Sequence, residues 1–266
     1  MKTMTNALVS YSVDERGVAT IELRNPPANA YSYEMMRDLD EAILEARFDA
    51  NVHVVLLRGA GEKFFCAGAD IAMLANAQPA FKYQFCLHAN ETLLRLENTS
   101  KLVVAALQGH CVGGGLEIAM AADLRVAVRG SGKTGLPEVS LGVLPGTGGT
   151  QRLARLVGRS RAIELMAEGR LLDYDEAHAL GLVNQVWESE GFGARALEYA
   201  RSFCPPSRAS LSVGCIKRAV HGGTDLPLES GLALERELQQ RLFESADARE
   251  GLTAYAEKRK PAFAGR

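Results

Sequence analysis

The sequence predicts an α/β fold, with one core of alternating strands and helices and a C-terminal part made of helices alone. Strand-like and helix-like patterns alternate from residue 9 to about residue 190, an order typical of α/β domains. From residue 191 onward only helical patterns remain. The 266 residues suffice for one large core, and no linker-like run, repeat or low-complexity tract interrupts them. We therefore predict a single core with a helical annex rather than two independent domains.

The elements follow from local patterns. Alternating residues at 9–13 and 18–23 flank a turn and predict a hairpin, which the prolines of residues 24–27 end. The continuous apolar run at 52–57 predicts a strand buried on both sides. The other predicted elements are helices at 33–49, 79–96, 150 onward and 160–168, a short helix capped by Asp175 and ended by Gly181, strands at 102–107, 124–128 and 182–186, and helices from 191 to 263 broken at residues 205–206 and 222–223.

Residues 109–123, which follow a β-type run at 102–107, are the stretch around which the chain is organised. The β-type run LVVAAL is followed by three glycines and then by small, apolar residues, which predicts a strand, a glycine turn and a helix. Glycines let a backbone approach a ligand closely, and the first amides of a helix can hold a developing oxyanion. Glu117 lies in the first helical turn. This arrangement suggests acid/base chemistry on a carbonyl compound; the alternative is a buried helix with a tight entry turn.

Composition and charge exclude several classes of partner. The net charge of −2 gives no overall attraction to nucleic acid or to anionic membranes. The most apolar region, residues 102–128, contains polar groups such as Glu117 and Arg125, which argues against a membrane span. The N-terminus lacks the apolar run of a signal peptide. Five scattered cysteines without a C-x-x-C pair indicate reduced thiols, and we expect a cytoplasmic protein.

Three tempting motifs are not supported. The run GSGKT at 130–134 lacks the first glycine of a phosphate loop, because Ala127 stands there, and Pro137 prevents a helix from following at once. The five histidines are far apart and none forms an H-x-x-x-H pair, so no metal site is predicted. Cys66 and Cys111 flank small-residue turns, where a nucleophile is possible, but buried inert thiols are favoured.

A second carboxylate of interest, Glu138, follows Pro137 at the end of an irregular loop. The predicted strand at 124–128 separates it from Glu117. After a strand, a loop can carry the chain back to the end of the sheet at which the strand began. Such a return would bring the two carboxylates together. Spacing alone leaves open whether Glu138 meets Glu117 or lies on the surface.

Five stretches of the chain resemble the crotonase superfamily, and closely its enoyl-CoA hydratase branch. They cover nearly the whole chain in the right order and are highly specific together. They are NPPANA (25–30), FCAGADI (65–71), GHCVGGGLE (109–117), LPEVSLGVLPGTGGTQR (136–152) and AHALGLV (177–183). The resemblance implies a ClpP/crotonase-like spiral of ββα units over residues 1–200, which carries the active site. It also implies a C-terminal helical region, residues 201–266, that packs on the core and on neighbouring subunits in a homotrimer or a dimer of trimers.

The resemblance also implies the site. The backbone amides of Ala69 and Gly114 fall on the family's oxyanion hole, and Glu117 and Glu138 fall on the two catalytic glutamates of hydratases. Isomerases of the family generally keep only one of those carboxylates, so the pair favours hydration over double-bond migration. Contacts with CoA or substrate are implied at Arg24, Ala28, Ala67, Gly68, Asp70, Ile71, Gly113 and Leu141.

The implied activity is reversible syn addition of water to a 2-enoyl-CoA, giving a 3-hydroxyacyl-CoA, as in fatty acid β-oxidation. Glu117 is the expected base on the water and Glu138 the expected acid toward C2. No cofactor is expected, since CoA is part of the substrate. The alternatives are an isomerase, a thioester hydrolase, a dehydratase of a branched or aromatic acyl-CoA, and a non-catalytic acyl-CoA-binding subunit. One departure concerns CoA: Pro27 stands where many hydratases carry a basic residue, and Arg24 is the candidate substitute.

Overall fold

The strands of this chain form two sheets, a large one and a small one. The computed structural model describes residues 2–266. Its strands are β1 (Lys2–Thr3), β2 (Val9–Val13), β3 (Val18–Leu23), β4 (Val54–Gly59), β5 (Phe64–Cys66), β6 (Leu102–Leu107), β7 (His110–Val112), β8 (Leu124–Val128), β9 (Thr134–Gly135) and β10 (Gln185–Trp187). Its α-helices are α1 (Tyr33–Phe48), α2 (Ile71–Asn76), α3 (Pro79–Glu97), α4 (Gly114–Met120), α5 (Gly149–Val157), α6 (Arg159–Glu168), α7 (Tyr174–Ala179), α8 (Phe192–Arg201), α9 (Ser210–Gly223), α10 (Leu228–Phe243) and α11 (Ala246–Ala256).

The strand order produces a spiral. The large sheet runs β1-β2-β3-β4-β6-β8-β10, antiparallel through β3 and parallel beyond it, and the small parallel sheet runs β5-β7-β9. Three times in succession, the chain places one strand in the large sheet and the next in the small sheet, and then forms helical turns. This is the predicted repetition of ββα units. The reading from local patterns missed the small sheet, because its strands are only two or three residues long.

The register of the small sheet determines where the functional loops lie. Cys66 pairs with Cys111, and Cys111 in turn pairs with Thr134, so the carboxyl ends of three parallel strands lie side by side. The segments that leave these ends are residues 67–70, the glycine turn from Gly113, and residues 136–138. Three motifs that are distant in sequence therefore meet at one edge of the small sheet.

Apolar residues cover both faces of the large sheet. One core cluster includes Val55 and Val103 and continues into α1, α3 and the small sheet. The other includes Leu56 and Val104, and the apolar face of α8 covers it, with Phe192 at its start. As predicted, β4 is buried on both sides, and β6 is as well, which is typical of central parallel strands.

Most predicted elements form within a few residues of the expected bounds, and three details need correction. Asp173, not Asp175, caps α7, because its side chain accepts a hydrogen bond from the Glu176 N–H and the Glu176 side chain accepts one from the Asp173 N–H, a capping box. The strand predicted at 182–186 is β10. In the C-terminal part the predicted break at 205–206 is confirmed within residues 202–209, whereas the break predicted at 222–223 lies at 224–227 and the last helix ends at residue 256 rather than 263. Within residues 2–266, no helix has both the length and the apolar character to cross a bilayer.

A buried arginine ties β8 to the helix that precedes it. Arg125 is 3% exposed, and its Nε donates to the Leu182 carbonyl at 2.8 Å. Its Nη1 donates to the carbonyls of Ala122 at 2.6 Å and Ala119 at 3.2 Å, at the end of α4. Burial lowers the pKa of Arg125 to about 10, so the side chain stays charged at neutral pH.

Arg125→Met should lower the free energy of unfolding by about 3 kcal/mol, because the buried carbonyls of Leu182 and Ala122 lose their side-chain donor and that of Ala119 loses one of its donors. Denaturant titration followed by circular dichroism measures the change. Arg129→Met is the matched control just beyond the same strand; it should change stability little, because the ion pairs of Arg129 with Asp175 and Glu188 are exposed. Equal losses in the two variants would contradict this role for Arg125.

Candidate active site

The segment after β5 is held in place by Tyr31. The Tyr31 N–H donates to the Gly68 carbonyl at 2.9 Å, and the Asp70 N–H donates to the Tyr31 carbonyl at 2.9 Å. Together they form a parallel bridge between Tyr31 and Ala69 that does not use the N–H of Ala69 itself. The Ala69 amide is therefore left available as a donor to a ligand.

The glycine turn lies directly against this segment. Gly113 caps α4 with φ 55°, and Gly114 is the first helical residue, so its N–H has no partner within the helix. A Cβ on Gly68 would lie 3.2 Å from the Gly114 nitrogen, and a Cβ on Gly114 would lie 2.2 Å from the Tyr31 ring. The positions of Gly68, which has φ 95°, and of Gly114 therefore both require glycine, and the turn brings the Gly114 amide beside the Ala69 segment.

These two turns open into a cavity of about 460 Å³ that also contains both glutamates. The cavity is lined by Tyr31, Ala67, Gly68, Ala69, Ile71, Leu74, Ala77, Pro79, Lys82, Gly113, Gly114, Glu117, Pro137, Glu138, Leu141, Val143, Leu144 and Gly146. Among the described residues, three other cavities, of about 720, 740 and 540 Å³, are larger, but none of them is lined by the glycine turn or by the Glu117–Glu138 pair. The chemistry of its lining makes the smaller cavity the candidate active site.

The Glu117 carboxylate is buried and accepts hydrogen bonds from three groups of one loop. Glu117 is 2% exposed, and its Oε1 accepts hydrogen bonds from the main-chain N–H groups of Thr147 at 2.8 Å and Gly149 at 2.7 Å. The Thr147 hydroxyl donates to Oε2. Three donors suit an ionised carboxylate, which can only accept. Oε2 retains lone-pair capacity for a further donor such as water.

The glycine-rich loop at 142–149 supplies the hydrogen-bond donors to Glu117. Gly148 has φ 107°, and a Cβ on Gly149 would lie 2.9 Å from Glu117 Oε1. Only a residue without a side chain lets the Gly149 amide approach the carboxylate. The sequence showed a glycine-rich loop before a helix, but it gave no sign that the loop serves Glu117.

A buried ion pair supports the same loop. Arg152 forms two hydrogen bonds of 2.6 Å with the Glu97 carboxylate, and both side chains are nearly buried. The Arg152 Nη1 also donates to the Thr147 carbonyl at 3.0 Å. The C-terminal end of α3 therefore fixes the loop that holds Glu117. Sequence reasoning missed this pair, since nothing in the sequence relates Glu97 to Arg152.

The Glu138 carboxyl has different surroundings. Glu138 begins a turn of 3₁₀ helix (Glu138–Leu141) and is half-buried. Its Oε1 lies 3.0 Å from where a Cβ on Gly113 would be, while its Oε2 is buried without a hydrogen-bond partner. Burial raises the pKa of Glu138 to about 7; the charge of Glu117 raises it further, whereas a main-chain hydrogen bond and Lys82 oppose the rise. At neutral pH this carboxyl therefore exists in both protonation states.

Comparison with known proteins identifies the family. The model of the Enoyl-CoA hydratase/isomerase family matches residues 14–266. The chain belongs to this family. It is 38% identical over 247 residues to the short-chain-enoyl-CoA hydratase of Clostridium acetobutylicum, covering 92% of this chain and 94% of that protein. It is 36% identical over 257 residues to the mitochondrial methylglutaconyl-CoA hydratase of Mus musculus, covering 95% and 81%.

Solved structures of enoyl-CoA hydratases share the fold. One from Geobacillus kaustophilus superposes with a TM-score of 0.95 at 44% identity, over 100% of this chain and 98% of that one. One from Bacillus anthracis superposes with a TM-score of 0.92 at 34% identity, over 97% and 100%. The predicted family, fold class and enzyme class, a hydro-lyase of the enoyl-CoA hydratase type, are confirmed.

The residues predicted to contact CoA or substrate fall into two groups. Ala67, Gly68, Ile71, Gly113 and Leu141 line the cavity. The other three are not among its lining residues: Ala28 accepts a hydrogen bond from the Ala67 N–H at 3.0 Å, Asp70 caps α2 by accepting from the Met73 N–H at 3.0 Å, and Arg24 lies 3.6 Å from Glu22. The contacts of all eight residues with CoA or substrate stay predictions.

The buried thiols of this family member are inert by environment. Cys66 and Cys111 are fully buried, and burial raises the pKa of Cys66 to about 12 and that of Cys111 well above its ordinary value. Neither thiol forms the thiolate that a nucleophile needs at neutral pH. Within residues 2–266, no group of three or more His, Cys, Asp or Glu side chains could hold a metal ion.

Thr147→Val should lower kcat of enoyl-CoA hydration about 10- to 100-fold, because Glu117 keeps its main-chain donors but loses the hydroxyl that orients Oε2. Thr147→Ser, which keeps the hydroxyl, should stay near the parent. Steady-state kinetics on crotonyl-CoA, with thermal unfolding as a control for folding, measures the difference. Similar losses in the valine and serine variants would contradict this role of the hydroxyl.

Proposed function

We propose that this chain hydrates 2-enoyl-CoA thioesters reversibly, with Glu117 as the base and Glu138 as the acid. The observation that carries the proposal is the presence of two differently partnered carboxylates in one cavity with two available main-chain amides. Glu117 has three donors and suits the ionised role, whereas Glu138 has a raised pKa and suits the protonated role.

In the proposed reaction, the thioester carbonyl accepts hydrogen bonds from the amides of Ala69 and Gly114. The conjugated double bond is thereby polarised, so that C3 becomes electrophilic and C2 carries enolate charge. A water held between the carboxylates adds its oxygen to C3 as Glu117 takes one of its protons. Glu138 gives its proton to C2. The dyad begins and ends with one proton, which has moved from Glu138 to Glu117, and solvent exchange restores the starting form.

Several rival activities use the same fold. An isomerase moves a double bond, a thioester hydrolase directs water at the carbonyl, and a dehydratase of a branched or aromatic acyl-CoA uses the same acid/base pair. A silent acyl-CoA-binding subunit would need neither glutamate. The convergence of both carboxylates on one cavity favours hydration over the isomerase and over the silent subunit. The relatives named above act on short-chain enoyl-CoA and methylglutaconyl-CoA, so we propose a short acyl group here.

We further propose a homotrimer or a dimer of trimers, in which residues 201–266 pack on the core and on neighbouring subunits, in the cytoplasm and without an added cofactor. Support for the assembly comes from the helical region, where large apolar side chains are exposed on successive helices, including Ile216, Val220, Leu228 and Phe243.

Sedimentation equilibrium should give a mass of three or six chains, and a monomer would contradict the assembly.

Glu117→Gln and Glu138→Gln should each lower kcat on crotonyl-CoA by about 100- to 10,000-fold, because each removes one proton-transfer group. The decay of absorbance of the conjugated thioester measures hydration. Glu91→Gln, on the exposed side of α3, is the matched control and should keep parent activity. Near-parent rates in both active-site variants would overturn the proposed roles.

The kcat/KM for hydration should fall about tenfold per pH unit above pH 7, because the pKa of Glu138 is raised to about 7 and the acid loses its proton as pH rises through that value. Hydration consumes no net proton, so the kcat/KM for dehydration of 3-hydroxybutyryl-CoA should fall above pH 7 in the same way. This fall is the alkaline limb of the pH profile. The limb should vanish from the residual activity of Glu138→Gln. A limb that persists there would assign it to another group.

A further inference from the structure

One charged side chain of the active-site cavity has no part in the proposed reaction. Among residues 2–266, Lys82 is the only charged residue that lines this cavity apart from the two glutamates. It lies on α3, whose ion pairs involve Arg95 and Glu97 instead. Within the described residues, no carboxylate lies within ion-pair distance of Lys82 Nζ. A cation without an anionic partner therefore faces a ligand cavity.

The position of this cation is fixed from two sides. Lys82 Nζ lies over the face of the Phe85 ring, 5.5 Å from its centroid, and Phe85 is buried. It also lies 4.0 Å from where a Cβ on Gly146 would be. Gly146 precedes Thr147, which holds Glu117. The ammonium group therefore lies beside the loop that holds Glu117, and its charge acts on Glu138.

The rest of this wall is apolar. Beside Lys82, the side chains of Leu74, Pro79, Val143 and Leu144 line the cavity. An apolar wall suits a hydrocarbon acyl chain, whereas the half-buried Lys82 ammonium has lost part of its hydration without gaining a counter-ion. A single cation in such a wall is matched by one anionic group on an otherwise apolar ligand.

The geometry points to an acyl group that ends in a carboxylate a few carbons beyond C3, with Lys82 as the residue that recognises it. This inference rests on the proposed function and names its substrate class: 2-enoyl-CoA thioesters of dicarboxylic acids. With the thioester oxygen at Ala69 and Gly114, and C2 and C3 between the glutamates, the chain beyond C3 extends toward the wall that carries Lys82.

The phosphates of CoA are the other anions that the substrate brings. They are joined to the thioester sulfur by the long pantetheine arm, which leaves the oxyanion hole in the direction away from the acyl chain. A cation beside the glutamates is therefore placed for the acyl end rather than for the phosphates. Binding of CoA alone, which has the phosphates but no acyl group, shows whether Lys82 binds the phosphates or the acyl carboxylate.

The test compares glutaconyl-CoA, which has a terminal carboxylate, with 2-hexenoyl-CoA, a neutral substrate of similar size. The parent should prefer glutaconyl-CoA in kcat/KM by at least tenfold. Lys82→Met should lower this ratio at least tenfold, and Lys82→Arg should retain most of it. The ratio is the readout because any effect of Lys82 on Glu138 is common to both substrates.

Lys63→Met is the matched control, since Lys63 also lies over a phenylalanine ring, 5.6 Å from the centroid of Phe64, but lines a different cavity. It should leave the ratio unchanged. A parent that prefers the neutral substrate, or an unchanged ratio in Lys82→Met with hydration intact, would overturn the role of Lys82 while leaving the hydratase proposal standing. Weaker binding of CoA alone to Lys82→Met would assign Lys82 to the phosphates. Hydration of neither substrate would refute both proposals.

Discussion

The burial of the Glu117 carboxylate is the constraint on which this site depends. An isolated carboxylate is costly to remove from water, so its burial requires donors that are already in place. The loop from Thr147 to Gly149 supplies two amides and a hydroxyl, and the Arg152–Glu97 pair holds that loop. The Glu138 carboxyl has one main-chain hydrogen bond and a buried oxygen without a partner, and its pKa is raised. The two glutamates therefore differ because their surroundings differ, although their chemistry is the same.

The small sheet brings the two differently surrounded glutamates into one site. Its three short parallel strands bring residues 67–70, the glycine turn and residues 136–138 to one edge, so that amide donors and carboxylates converge without a long loop. The register Cys66–Cys111–Thr134 sets their spacing. Because the large sheet is buried on both faces, the platform beneath this edge is rigid, which suits a site that depends on preorganised donors.

The sequence predicted the long elements and the chemical character of the site, but not its support. Strands such as β4 and β6 have continuous apolar runs and helices such as α1 have a clear apolar face, so periodicity alone located them. The strands β5, β7 and β9 are too short to produce a pattern. The meeting of Glu117 with Glu138 depends on the register of those strands, which no spacing in the chain reveals. The resemblance supplied the spiral and the residue roles, while the contacts of Thr147, Arg152 and Lys82 emerged only in three dimensions.

Each of the three consecutive glycines lies against a different neighbouring group. A Cβ would lie 3.0 Å from Glu138 at Gly113, 2.2 Å from the Tyr31 ring at Gly114, and 2.2 Å from the Cys66 carbonyl oxygen at Gly115. A methyl group at any of the three would displace a different part of the site. Laboratory evolution toward new acyl groups would therefore find little freedom in this turn, and useful diversity would have to be sought in α3 and in the chain around Val143 and Leu144.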